Sequence, residues 1–174
     1  MDGAGRSTLG DIRRVGNSPP ALWPRRIGTA VLFLVVLAGA LGFLGVRSAT
    51  TSANGGAYRL SVTYPHVARA GLDIPFRVHV HHDGGVAENP TIAISSAYFR
   101  LFETQGFYPD ADTVTNDGSF VYMTFTAPPP GRDFTLEYDA YVQPAAQVGK
   151  SATVRLLING RQVAETTLHT WLVP

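Results

Sequence analysis

The sequence predicts a single N-terminal transmembrane helix followed by an all-β body, folded as a two-sheet antiparallel sandwich. Three observations predict it. Residues 27–46, IGTAVLFLVVLAGALGFLGV, are an uncharged apolar run of twenty residues between Arg26 and Arg47. Beyond it, short segments alternate apolar and polar residues with a period of two, as half-buried strands do. Turns rich in glycine and proline separate those segments roughly every 8–12 residues, with no long helical pattern between them.

Read as a helix at ~1.5 Å per residue, the apolar run is ~30 Å long and matches the hydrocarbon thickness of a bilayer. The head, residues 1–26, carries five arginines against Asp2 and Asp11, and its glycines, the Pro19–Pro20 pair and Pro24 interrupt any helical run. A disordered basic head beside an apolar span predicts a cytoplasmic N-terminus and an extracytoplasmic body at the plasma membrane. Trp23 fits an interfacial anchor. A signal peptidase would meet Arg47 at the third position before a cut after Ala49, and a cut after Ala53 lies far from the apolar core. The expectation is therefore an uncleaved, single-pass signal-anchor surrounded by membrane lipid. Within it Gly39, Gly42 and Gly45 recur every three residues, a spacing that would open a groove for a membrane-protein partner's helix.

Residues 47–56 read as a flexible tether, and 57–174 as the sandwich. Tyr58, Leu60, Val62 and Tyr64 alternate with polar residues until Pro65. Ile74, Phe76, Val78 and Val80 form the next strand, ended by Asp83-Gly84-Gly85, and Thr91–Ser95 is a third, weaker one. From Ser96 the pattern breaks: Tyr98, Phe99, Leu101 and Phe102 suit one helical turn, and Phe107 to Asp112 a loop. Residues 118–126 are a strand with bulk on both faces, stopped by Pro128-Pro129-Pro130-Gly131. Phe134 to Val142 alternates cleanly. Residues 154–158 and 163–172 then flank Asn159-Gly160, a pair that tolerates the positive φ of a type I′ hairpin turn. Seven strands in this layout resemble immunoglobulin- or fibronectin-type modules over roughly 57–174. The Cys…Trp…Cys pattern of true immunoglobulin domains is absent, and Trp171 stands in the last strand. The resemblance implies an architecture and no activity. An open β-barrel is the alternative fold.

Composition narrows the chemistry. With no cysteine, thiolate metal sites, thiol nucleophiles and disulfides are excluded. Residues 47–174 carry nine basic and eleven acidic side chains, which gives no electrostatic reason to bind nucleic acid. A glycine- and alanine-rich chain with one lysine and thirteen arginines matches a bacterial, high-GC composition.

Two clusters are candidate sites. His79 and His81 share a strand face ~6–7 Å apart, with His82 and Asp83 at its end, a set that would suit Cu(II) or Zn. The aromatic segment Tyr98, Phe99, Phe102, Phe107 and Tyr108 would serve either as a core plug or as a contact surface for a protein partner. Asp110, Asp112, Asn116 and Asp117 offer oxygens, but Val114 breaks the calcium-loop order, so solvated turn residues are expected. No nucleophile elbow, zinc-protease helix, dinucleotide fingerprint or phosphate loop is present. The expectation is a non-catalytic accessory or protein-interaction module with no cofactor. The alternatives are a metal-binding domain built on His79 and His81, and a cell-envelope carbohydrate binder.

Overall fold

A computed structural model describes residues 19–42, 45–86, 89–126, 128–145 and 148–173. The chain divides into two compact units, residues 1–44 and 45–174. Most of the basic head lies outside the described residues.

Among the described residues, the first unit contains one helix, α1 (Pro19–Ala40). It begins on two prolines, which suit a first helical turn because the N–H groups there have no intrahelical acceptor. The apolar window Trp23–Ala40 is long enough to cross a bilayer, and none of it is buried within the chain. The helix ends earlier than the apolar run. The Leu41 N–H donates to the Leu37 carbonyl at 2.9 Å, the Gly42 N–H to the Gly39 carbonyl at 3.0 Å, and Gly42 adopts φ 73°. A glycine in the left-handed region closes a helix because it carries no Cβ to clash. Gly39 alone of the three glycines lies within α1, so the helix does not present the three as one stripe.

The second unit is mostly β. Its strands are β1 (Arg47–Gly55), β2 (Tyr58–Arg69), β3 (Asp73–His82), β4 (Pro90–Ser95), β5 (Phe102–Tyr108), β6 (Thr113–Asn116), β7 (Phe120–Thr124), β8 (Asp133–Val142), β9 (Lys150–Ile158) and β10 (Arg161–Val173), with one turn of helix, α2 (Ser96–Phe99), after β4. The expected tether is thus a strand. β1 pairs antiparallel with β2 from Arg47↔Val67 to Gly55↔Tyr58, and its Thr51 hydroxyl meets that of Thr166 in β10 at 2.9 Å. Its backbone lies so close to β10 that a Cβ on Gly55 would overlap the Val163 carbonyl. Pro65 does not end β2, whose pairing with β1 runs past it.

Hydrogen bonding is continuous through the order β5-β8-β3-β2-β10-β9-β4-β7-β6, with β1 added on β2. The body is therefore a curled half-barrel. The two expected layers persist only as halves, joined where Trp171, Leu172 and Val173 run parallel to Val67, Ala68 and Arg69. All other pairings are antiparallel. The Asn159–Gly160 turn forms as expected, with φ 50° and 75°.

Alternation decides which faces meet inside. Leu60 and Val62 of β2, Phe76, Val78 and Val80 of β3, and Phe134, Leu136 and Tyr138 of β8 face Ile92 and Ile94 of β4, Met123 of β7, and Val154 and Leu156 of β9 in one buried cluster. Burying a side chain of this size contributes roughly 1.5–3 kcal/mol. The opposite face of β2, β3 and β8 is the polar one, and it holds His79 and His81.

Candidate functional site

His79 and His81 project from the solvent face of β3, as their spacing predicts. The β3–β8 ladder sets His79 opposite Thr135 and His81 opposite Asp133. Asp133 then joins the pair. Its Oδ1 lies 2.7 Å from His81 Nδ1 and 3.1 Å from His79 Nε2, while Asp83 Oδ1 lies 3.3 Å from His81 Nε2. Hydrogen bonds to Asp133 and then to Asp83 hold His81 above its ordinary pKa, and the His81 hydrogen bond holds Asp133 below the usual carboxylate value. The same face continues through Arg77, whose guanidinium reaches Glu137 Oε1 at 2.6 Å.

His82 does not join the cluster. Period two turns it to the other side of β3, where its ring lies 4.2 Å from that of Tyr58 and its Nδ1 is buried without a hydrogen-bond partner. Among the described residues, no group of three or more His, Cys, Asp or Glu side chains is disposed to hold a metal ion. Both histidines instead turn ring nitrogens toward one carboxylate. Asp133 was not legible as part of this set, because it stands 52 residues from His81 and arrives only through strand pairing.

The aromatic segment splits. Tyr98 and Phe102 are buried, Phe99 and Phe107 pack against the core, and Tyr108 alone is open to solvent, 77% exposed. Tyr138 centres the cluster: the Phe107 ring stacks on it at 4.6 Å, and Phe99 and Phe102 approach it edge-on at 5.5 and 6.1 Å. Aromatic rings favour these offset and edge-on contacts. The Tyr98 hydroxyl meets the buried Thr170 hydroxyl at 2.7 Å, and burial pushes the phenol upward. The core-plug alternative describes four of the five residues. On β7 the Arg155 guanidinium lies 4.1 Å over the Phe120 ring.

The acidic loop residues cap turns. Asp117 accepts the Ser119 and Phe120 N–H groups at 2.8 and 2.7 Å, which holds its carboxyl below the usual range. Asp112 accepts the Thr126 N–H at 2.6 Å. On the other half of the sheet, Ser151 Oγ lies 2.8 Å from His169 Nδ1 across the β9–β10 ladder, beside a shallow groove also lined by Tyr64, Ser95 and Thr167. Among the described residues His169 Nε2 has no hydrogen-bond partner, so none of them supplies this serine–histidine pair with the orienting carboxylate of a triad. The sequence carried no signal for it beyond the two residue types.

No family model matches the chain, and no curated protein matches it. Among solved structures, the chain is similar to Pseudomonas fluorescens alkylpurine DNA glycosylase AlkC bound to DNA containing an abasic site analog, at 11% identity and a TM-score of 0.30. The match covers 76% of this chain and 32% of that one, so the chain spans about a third of the glycosylase's length. At that TM-score neither a shared fold nor a shared activity follows.

Proposed function

We propose that this protein is a non-catalytic, single-pass membrane protein that presents its β body outside the membrane as an accessory or protein-interaction module. The observation that carries the reading is α1: an apolar window of 18 residues, Trp23–Ala40, of which nothing is buried within the chain. Such a surface is tolerated in lipid and not in water. Arg25 and Arg26 at its N-terminal end support a cytoplasmic N-terminus. The immunoglobulin- or fibronectin-like layout belongs to the same proposal, supported by the two apolar sheet halves that meet in one core. Partner contact moves to surfaces that are open: Tyr108, rather than Phe99 and Phe102, is the aromatic residue available to another protein.

Alkaline carbonate extraction of membranes, combined with protease added to intact cells stripped of their outer layers, tests the reading. The expected result is retention in the membrane pellet, digestion of the body and protection of an N-terminal epitope. Release by carbonate, or a protected body, would overturn it. Mild-detergent affinity purification of the full chain would then be expected to retain a protein that a Tyr108→Ser variant recovers poorly.

A further inference from the structure

We infer that one end of the β body is a membrane-contacting rim that rests on anionic lipid headgroups, an inference that depends on the membrane-anchor reading above. Sheet topology defines the end. Arg47 opens β1 opposite Val67, Val67 pairs with Trp171, and Arg69 pairs with Val173. The β2–β3 turn joins the same end, because Val142 accepts the Gly71 N–H and donates its own to Leu72, both at 3.0 Å. The start of β9 also lies there: Lys150 pairs with Thr170, and a Cβ on Gly149 would overlap the Thr170 carbonyl.

Three independent features of this end match an interfacial surface. First, it gathers the apolar exposure of the body. Among the described residues, the large apolar side chains exposed in the body are Leu72 (43%), Tyr108, Val114, Val148 (74%), Trp171 (58%) and Val173 (37%), and four of those six stand at this end. A tryptophan with aliphatic neighbours is the side-chain set found where bilayer meets water. Second, cations outnumber anions there: Arg47, Arg69, Arg100 and Lys150 against Asp73, Glu103 and Asp117, which the β6–β7 turn brings to the same end. The far end carries Asp83, Asp110, Asp112 and Asp133 with Arg59, Arg132 and Arg161, so the balance there is reversed. Basic residues within a Debye length of an anionic leaflet are attracted to it. Third, this is where the chain arrives from the span. Five residue steps separate Gly42 from Arg47, which reach at most ~18 Å when fully extended.

The rim therefore has one occupant, the bilayer surface itself, and the body stands with its histidine-bearing end directed away from lipid. Because the chain has no cysteine, a single introduced cysteine can carry a spin label. Val148→Cys probes the rim and Tyr108→Cys a position away from it, opposite Glu137 midway along β8, and both positions are exposed, so neither substitution disturbs the core. The full-length variants are reconstituted in phosphatidylcholine vesicles containing phosphatidylglycerol, and label accessibility to oxygen and to an aqueous nickel chelate is compared. The label at 148 is expected to favour oxygen and be shielded from nickel, while the label at 108 shows the aqueous profile. Equal, aqueous profiles at both positions in protein that stays membrane-inserted would overturn the rim while leaving the anchor standing. Failure of the protein to float with vesicles would overturn both. Equal shielding of 148 in vesicles without phosphatidylglycerol would overturn the part given to the basic residues.

Discussion

Replacing Asp133 by Asn removes the carboxylate shared by His79 and His81, and the titration of His81 should report the loss. In full-length protein in detergent micelles, His81 should titrate above its ordinary 6.5, and D133N should bring it back toward that value by NMR. The effect on stability has a sign. A histidine with a raised pKa stabilises fully below about pH 6.5, and that contribution fades as pH rises through its folded value. Asp133, held low, stabilises above about pH 4 and loses its contribution as pH falls through its folded value. The pair therefore helps most between about pH 4 and 6.5, and D133N should flatten the decline in melting temperature as pH rises above about 6.5. Inside the body, Tyr98→Phe leaves the Thr170 hydroxyl buried without its partner and should cost ~1–3 kcal/mol in chemical denaturation. Adding Thr170→Val should recover much of that loss, because both polar groups then leave together.

Among the elements, β1 distinguishes the structure most sharply from the reading of its sequence. SATTSANG contains no large apolar residue and ends in glycine, so no alternation marks it as a strand. It forms one because β2 offers a free edge and its small side chains let it approach β10. Gly55→Ala should therefore destabilise the body by ~2–4 kcal/mol, read as a lower urea midpoint, whereas Gly106→Ala, which meets open space, should change little. β5 and β6 escaped notice for related reasons. β5 has a register shift between Thr104 and Gly106, and β6 is a polar edge strand, TVTN, exposed along its length. By contrast β2, β3 and β8 were plain in the sequence, since each has one face in the core and one in solvent. The histidine pair was legible to the same extent: period two placed His79 and His81 together, but nothing local could bring Asp133 to them.

At the scale of the molecule, the core is complete within residues 45–173, and its first strand belongs to it. A fragment starting at Gly45 should be a folded monomer by size exclusion with a single cooperative melt. One starting at Ala57, the boundary the sequence suggested, should melt lower and aggregate, because it bares the β2 edge that β1 covers. The full chain should differ from the longer fragment in membrane retention and not in the melting of the body.

The parallel seam between β10 and β2 also orders events during synthesis. β2 leaves the ribosome about a hundred residues before Trp171–Val173 can pair with Val67–Arg69. In that interval the early strands can form their local ladders, β1 with β2 and β2 with β3, but the curl stays open. Closure waits for β10, and pairing across such a separation in sequence is slow. A nascent body of this kind keeps an apolar face uncovered until that pairing forms, so its vulnerability to proteases and to aggregation is concentrated before residue 173 is in place.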